Sequence, residues 1–258
     1  MSNAIVVLTR GYKTIQEYSN LLKRNLSIYE KLYNKDKHDV IIFHEGNITI
    51  EQQKQIQNFT PEMPIEFKIV EFNKNTGLLN NRLCPPTELS NSFSNGYKHM
   101  CYFWSIEFLK QLEKYEYIIR IDEDCILKSI NPNILDIYKQ KGYVFGSPFF
   151  QGEDNQNVTV GLDRFFATFL NSINVRPKAK PTRFPYTNIM IINVKFFNTS
   201  PVLAKLHEKL IESNCIFSNR WGDMPIWGYI LSIFIQPSKY IEDKNISYYH
   251  ESHDKIVN

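Results

Sequence analysis

Tyr117-Ile118-Ile119-Arg120-Ile121-Asp122-Glu123-Asp124-Cys125-Ile126-Leu127 is the stretch whose reading decides the fold. It is an apolar run of buried-strand character that ends in carboxylates spaced i, i+2. Aspartate is depleted in strands and strongly hydrated. Clustered acids at a strand's carboxyl end therefore hold a cation or mark where a ligand enters an α/β sheet. The plain alternative is an acidic turn after a strand. Phosphatases of the haloacid type also carry such a triplet, but near the N-terminus and followed by Thr or Val; here it lies mid-chain and Cys125 follows, which favours a different use, holding the divalent ion that bridges a nucleotide's diphosphate.

Outward from this run, strand and helix patterns alternate. Ala4 to Thr9 reads as a buried strand, then Gly11, then a helical pattern through Ile15, Tyr18, Leu22, Leu26 and Tyr29. Asp39 to His44 reads as a second strand ending at Glu45-Gly46, and Ile65 to Phe72 as a third, alternating as a half-exposed strand does. Residues 73 to 95, rich in Asn, Ser and Pro, read as a long loop. Met100, Trp104, Phe108 and Leu112 recur every four residues and put one apolar helical face against the sheet. After Tyr143 to Gly146, the polar segment from Gln151 to Lys180 has no clear period, the character of a functional lid. Strand character returns from Asn188 to Val194, followed by a helix from Pro201 to Ser213, the run Arg220-Trp221-Gly222-Asp223, a second apolar helix, and Ile246-Ser247-Tyr248-Tyr249-His250. This order predicts an α/β fold, a doubly wound nucleotide-binding sheet flanked by helices, in a single domain over 1-258. Ligand groups are then expected at the strand ends: Thr9 and Arg10, Glu45, and Asp122 with Asp124.

Composition narrows the partners. Hydrophobic residues at 43% and charged residues at 22% describe an ordinary globular chain. A net charge of +3 from scattered Lys and Arg argues against a nucleic-acid partner and leaves an anionic small ligand compatible. Cys84, Cys101, Cys125 and Cys215 form no C-x-x-C and no zinc-finger spacing, so they read as buried or free thiols. The apolar run near the N-terminus is too short for a signal sequence or a span, and no other stretch reaches spanning length, so the expectation is a soluble, cytoplasmic protein without a membrane span.

Four segments carry a family resemblance. Tyr97-Lys98-His99-Met100-Cys101-Tyr102-Phe103-Trp104-Ser105 resembles the Y-R-x-M-C-R-F-x-S segment of the fungal α-1,2-mannosyltransferases that build mannoproteins, and Tyr117 to Asp124 resembles their Y-Y-W-R-V-E-P-D. Asn219-Arg220-Trp221-Gly222-Asp223-Met224-Pro225 resembles E-R-W-G-D-A-P, and Ile246 to His250 resembles I-G-Y-Y-H. Order and spacing agree from about Tyr97 to His250, with a weaker match of Val7-Leu8-Thr9-Arg10 to the family's first strand.

The resemblance implies a GT-A type glycosyltransferase that uses Mn²⁺ (or Mg²⁺) and a nucleotide sugar, GDP-mannose, to modify a glycan or glycoprotein acceptor with retention. About 1-125 would be the nucleotide-binding half and about 126-258 the acceptor-binding half. Asp122 and Asp124 would supply oxygens to the metal and His250 a nitrogen, a donor set that suits Mn²⁺; a surface histidine is the other reading of His250, and His253 is a nearby competitor. Thr9, Arg10, Glu45, Arg120 and Asp122 are the candidate nucleotide contacts. Arg120 is either an ion-pair partner of the acids or a phosphate contact, and Glu45 either meets the base or ribose or is a solvated turn acid. The catalytic candidates are Asp223, Tyr97 and Glu153. Asp223 is either a helix N-cap or a carboxylate for sugar hydroxyls, Tyr97 either a hydrogen-bonding group or packing, and Trp221 offers a sugar-stacking face.

One departure stands out. Where the family carries a glutamate discussed as a nucleophile, this chain has Met190. A thioether cannot form a covalent glycosyl intermediate. The expectation is therefore front-face attack, use of another acid such as Asp223 or Glu153, or an inactive site.

Overall fold

The acidic run is divided between two sheets. In the computed structural model, which describes residues 2–72, 81–152, 155–176 and 180–257, Tyr117–Ile121 is a central strand and Cys125–Ser129 belongs elsewhere. The strands are β1 (Asn3–Thr9), β2 (His38–His44), β3 (Ile65–Ile69), β4 (Tyr117–Ile121), β5 (Cys125–Ser129), β6 (Phe145–Ser147), β7 (Phe150–Gln151), β8 (Phe184–Pro185), β9 (Ile189–Asn193), β10 (Tyr240–Glu242), β11 (Ser247–His250) and β12 (Lys255–Val257). The main sheet has the order β10-β6-β9-β4-β1-β2-β3, β5 lies in a small sheet ordered β12-β11-β5, and β7 pairs with β8. β1, β2, β3 and β4 run parallel, and β9 runs antiparallel between β4 and β6.

Alternation along each central strand feeds two apolar layers. In β1, Ala4, Val6 and Leu8 enter one core while Ile5 and Val7 enter the other. All seven residues of β1 are buried, as a parallel strand covered on both faces requires. One layer is built on the helix Asn95–Tyr102, the π-helical turn Phe103–Glu107 that continues it, and the helices Pro201–Ser213 and Asp223–Phe234. Of the predicted stripe, Trp104, Phe108 and Leu112 are buried and Met100 packs against them half-buried. The other layer includes Ile28 of the helix Ile15–Lys31, which a capping box between Thr14 and Glu17 starts.

Three expectations change. The third strand stops at Ile69 and not at Phe72, and residues 73 to 95 include the short helix Glu88–Ser92, with 73–80 outside the described residues. The segment expected to be a lid contains the helix Leu162–Ser172, whose Leu162, Phe165, Phe166, Phe169 and Leu170 are buried. Their i, i+3, i+4, i+7, i+8 spacing is a core-facing stripe, hidden by the polar residues on either side. The cysteines are not all thiols: Cys84 and Cys215 form a disulfide, while Cys101 and Cys125 are free and buried.

The disulfide closes a sequence separation of 131 residues. Chain-entropy reasoning assigns a loop of this size about 4–5 kcal/mol of stability. Replacing both Cys84 and Cys215 by Ser is expected to lower the melting temperature clearly, and dithiothreitol to lower that of the wild type in parallel. An unchanged midpoint in both measurements would show that the bond contributes nothing. Among the described residues no helix is long and apolar enough to cross a membrane.

Candidate active site

The parallel strands β1, β2 and β4 end on one edge of the sheet, and the acidic turn leaves from it. β4–β9 pairing places Ile121 opposite Ile189, and the ladder continues one step as the Asp122 N–H donates to the Asn188 carbonyl at 2.9 Å. The Asp122 carboxylate accepts from Arg120 Nε at 2.8 Å and from Asn188 Nδ2 at 3.1 Å. Although 21% of this side chain reaches the surface, desolvation by the surrounding protein pushes its carboxyl up to about 7 against the pull of Arg120.

Arg120 is the hub of this side of the site. It is 1% exposed, lies 4.4 Å above the Trp104 ring, and pairs through Nη1 with Asp223 as well as through Nε with Asp122. Burial works against its charge, but the two carboxylates outweigh that and raise its pKa. Of its two readings the geometry supplies the ion pair. Asp223 opens the helix Asp223–Phe234 one residue after the N-cap Gly222 and makes no capping bond; its carboxylate is committed to Arg120 instead. Trp221 cannot offer a stacking face, being fully buried beside Phe165 with its indole N–H on the Val160 carbonyl at 2.9 Å. Met190 pairs in register with Arg120 and is also fully buried, so position 190 faces the core and not an open cleft.

Glu123, the middle acid, turns toward the first strand. It accepts from Thr9 Oγ1 at 2.9 Å and from the Arg10 N–H at 3.0 Å, and it pairs with Arg10 Nε at 2.9 Å. Arg10, expected as a nucleotide contact, is held by Glu123 while its side chain remains 81% exposed. Beneath the turn, Arg24 is buried and donates to the Glu123 carbonyl at 3.1 Å; burial lowers its pKa to about 10. Glu45, at the end of β2, is exposed, and desolvation together with Glu123 raises its pKa.

The third acid finds the distant histidine. β11 pairs antiparallel with β5 so that His250 faces Cys125, which brings His250 Nε2 to 3.2 Å from Asp124 Oδ2. His250 is 2% exposed, and its Nδ1 lies 3.2 Å from the Tyr186 hydroxyl. Burial pushes the Asp124 carboxyl upward, but hydrogen bonds from His250 and Ser252 overcome it and hold the group at about 2. His253 rests on the His250 ring, exposed. Among the described residues, Asp124, Cys125 and His250 form a group able to hold a metal ion, with ligand atoms within 4.8 Å of one another. Asp122, expected with them, is not part of this group; its oxygens accept from Arg120 and Asn188.

Tyr97 lies farther along the rim, its hydroxyl 2.5 Å from Arg220 Nη2 and the Arg220 guanidinium stacked over its ring. Glu153 lies outside the described residues. Sequence reasoning missed Asn188, Glu123 and Arg24. Their signals are a polar residue at the start of a buried strand, the middle member of an acid triplet, and an arginine in the inner stripe of a helix between Leu21 and Ile28.

A mostly parallel sheet covered by helices, with acids at its strand ends, defines the GT-A glycosyltransferase class of fold. No protein-family model matches the chain. In sequence it is similar to the probable mannosyltransferase MNT3 of Candida albicans, 21% identical over 253 residues that cover 90% of this chain and 66% of that protein. It is also similar to the probable mannosyltransferase KTR4 of Saccharomyces cerevisiae, 24% identical over 60% of this chain and 38% of that one. The chain therefore spans less than two thirds of the length of these relatives. The solved structure of mannosyltransferase Ktr4p from S. cerevisiae in complex with GDP superposes with a TM-score of 0.75 at 17% identity, covering 96% of this chain and 71% of that one. Core-mannan synthase A from Aspergillus fumigatus in its Mn/GDP form gives 0.71 at 17% identity, over 97% of this chain and 74% of that one. The fold is thus of GT-A type, and the resemblance to the fungal mannosyltransferases extends over nearly the whole chain.

Proposed function

We propose that the chain is a metal-dependent glycosyltransferase that moves a hexose, mannose from GDP-mannose, to a hydroxyl of a glycan or glycoprotein with retention. The observation that carries this reading is the meeting of Asp124 and His250 at the carboxyl edge of the parallel strands. The Asp124 oxygen suits Mn²⁺ or Mg²⁺ and the His250 nitrogen favours Mn²⁺ of the two, and Asp124 is 28% exposed. When bound there, a divalent ion would neutralise the diphosphate leaving group. The solved relatives bound to GDP and to Mn/GDP support the same ligands.

The chain's own groups then divide the work. Asp124 and His250 would hold the metal, with Tyr186 orienting the imidazole through its second nitrogen. Arg120 and Asp223 brace Asp122 from below, so that its polar edge stays aligned beside Asn188. Exposed Arg10 and Glu45 line the nucleotide edge, with Thr9 and Glu123 fixing the backbone from which Arg10 projects. Tyr97, held by Arg220, is the group assigned to the acceptor in this reading. With Met190 buried, a front-face attack in which the leaving diphosphate takes the acceptor proton needs no enzyme carboxylate at that position. The Cys84–Cys215 disulfide favours an oxidising compartment over the cytoplasm.

Calorimetric titration with GDP and Mn²⁺, a panel of nucleotide sugars, and product anomers followed by NMR test the reading. Mn²⁺-dependent GDP binding with retained product is the expected result; an inverted product refutes the front-face step, and GDP binding with neither hydrolysis nor transfer leaves a nucleotide-sugar-binding protein. His250→Ala is expected to weaken Mn²⁺-dependent GDP binding about 10- to 100-fold. Deleting residues from Ile246 onward is a poorer test, since Ile246 and Tyr248 are fully buried core residues.

A further inference from the structure

We propose that Cys125 turns the Asp124–His250 pair into a thiol-containing metal centre that prefers thiophilic divalent cations, Zn²⁺ and Cd²⁺, to Mn²⁺. The inference rests on the metal site proposed above and is independent of which sugar is moved. Cross-strand pairing sets Cys125 directly opposite His250, so the two side chains leave the same face of the small sheet. The thiol also reaches the acid, with Sγ 3.8 Å from Asp124 Oδ1. One carboxylate oxygen, one imidazole nitrogen and one sulfur thus lie within 4.8 Å of one another. Zinc bonds of about 2.0–2.3 Å in tetrahedral geometry set ligand atoms about 3.3–3.8 Å apart, so side-chain rotations that bring these atoms about 1 Å closer complete the set.

Three protein ligands with a fourth position left to water or substrate is the arrangement of catalytic zinc sites, and here Asp124 is the partly exposed member of the three. The imidazole is already aimed: Nδ1 is engaged by Tyr186, leaving Nε2 toward Asp124. Affinity rises from Mn²⁺ to Zn²⁺ at any mixed donor set, and a sulfur ligand widens that gap. Metal binding displaces the thiol proton to solvent, so the wild type releases one more proton per metal than a variant without the thiol. The chemical consequence is a transferase site open to inhibition or replacement by zinc.

The test uses the full chain without nucleotide and Co²⁺ as a spectroscopic probe. Wild type is expected to show a thiolate-to-Co²⁺ charge-transfer band, and Cys125→Ser to lose it. Zn²⁺ affinity should fall at least about 10-fold in Cys125→Ser, while Mn²⁺ affinity, read by electron paramagnetic resonance, changes less than about threefold. Cys101→Ser is the control and keeps the band, since Cys101 is buried outside the cluster. Cys125→Ala, carried in parallel, gives the same readings if the serine variant fails to fold. A wild type with no charge-transfer band, or equal Zn²⁺ affinity in wild type and Cys125→Ser, overturns the inference. A band in a protein that binds no nucleotide sugar sustains it while refuting the transferase reading.

Discussion

Asp124→Ala is expected to lower Mn²⁺-dependent GDP affinity by more than about 100-fold, because the variant removes the carboxylate that meets His250 and is proposed to hold the metal. The fold should survive. Asp124 is partly exposed, and its loss removes the charge-assisted hydrogen bonds from His250 and Ser252, each a cost of about 1.5–3 kcal/mol. Calorimetry with GDP in the presence and absence of Mn²⁺, beside a thermal melt, separates the two effects. Unchanged affinity in a folded Asp124→Ala protein would falsify the metal assignment. Asp124→Asn should behave like the alanine variant, since a neutral amide keeps the shape and discards the charge.

Arg120→Ala carries the largest expected loss of stability. The guanidinium is buried and neutralises both Asp122 and Asp223, so its removal leaves two carboxylates with no cation in contact among the described residues. Breaking a buried pair from one side costs about 3–5 kcal/mol. For a chain of this size that corresponds to a fall in melting temperature on the order of 10 °C. Arg120→Met with Asp223→Leu should recover part of the loss, because the second change removes one of the stranded charges. A double variant no more stable than Arg120→Ala would show that packing on Trp104, and not charge, is what Arg120 contributes. GDP binding should weaken in Arg120→Ala even below its melting point, since Asp122 loses the donor that orients it.

Much of the fold was legible because strand and helix periods are local properties. β1, β2 and β9 fall within a residue of their expected bounds, and the helix Pro201–Ser213 matches its expected span. The helix Leu162–Ser172 was present in the same kind of signal, as five apolar residues at helical spacing, and was obscured by its polar flanks. The disulfide was not legible, because pairing depends on which cysteines the fold brings together and four cysteines allow several pairings.

By itself the sequence determined the alternating α/β order, the acid triplet at the end of β4 and the matching histidine near the C-terminus, because motif spacing and hydrophobic period are written along the chain. Tertiary structure alone decided how those acids divide their tasks. Three neighbouring residues point three ways at a tight turn: Asp122 to Arg120 and Asn188, Glu123 to the end of β1, Asp124 to His250. Each direction depends on a partner from a distant segment, and so does the burial that makes Arg120 a brace and Trp221 a core residue. Pairing between β5 and β11, 125 residues apart at Cys125 and His250, brings together the group proposed to hold the metal; no local pattern encodes that register, which side-chain packing on both faces of the small sheet selects.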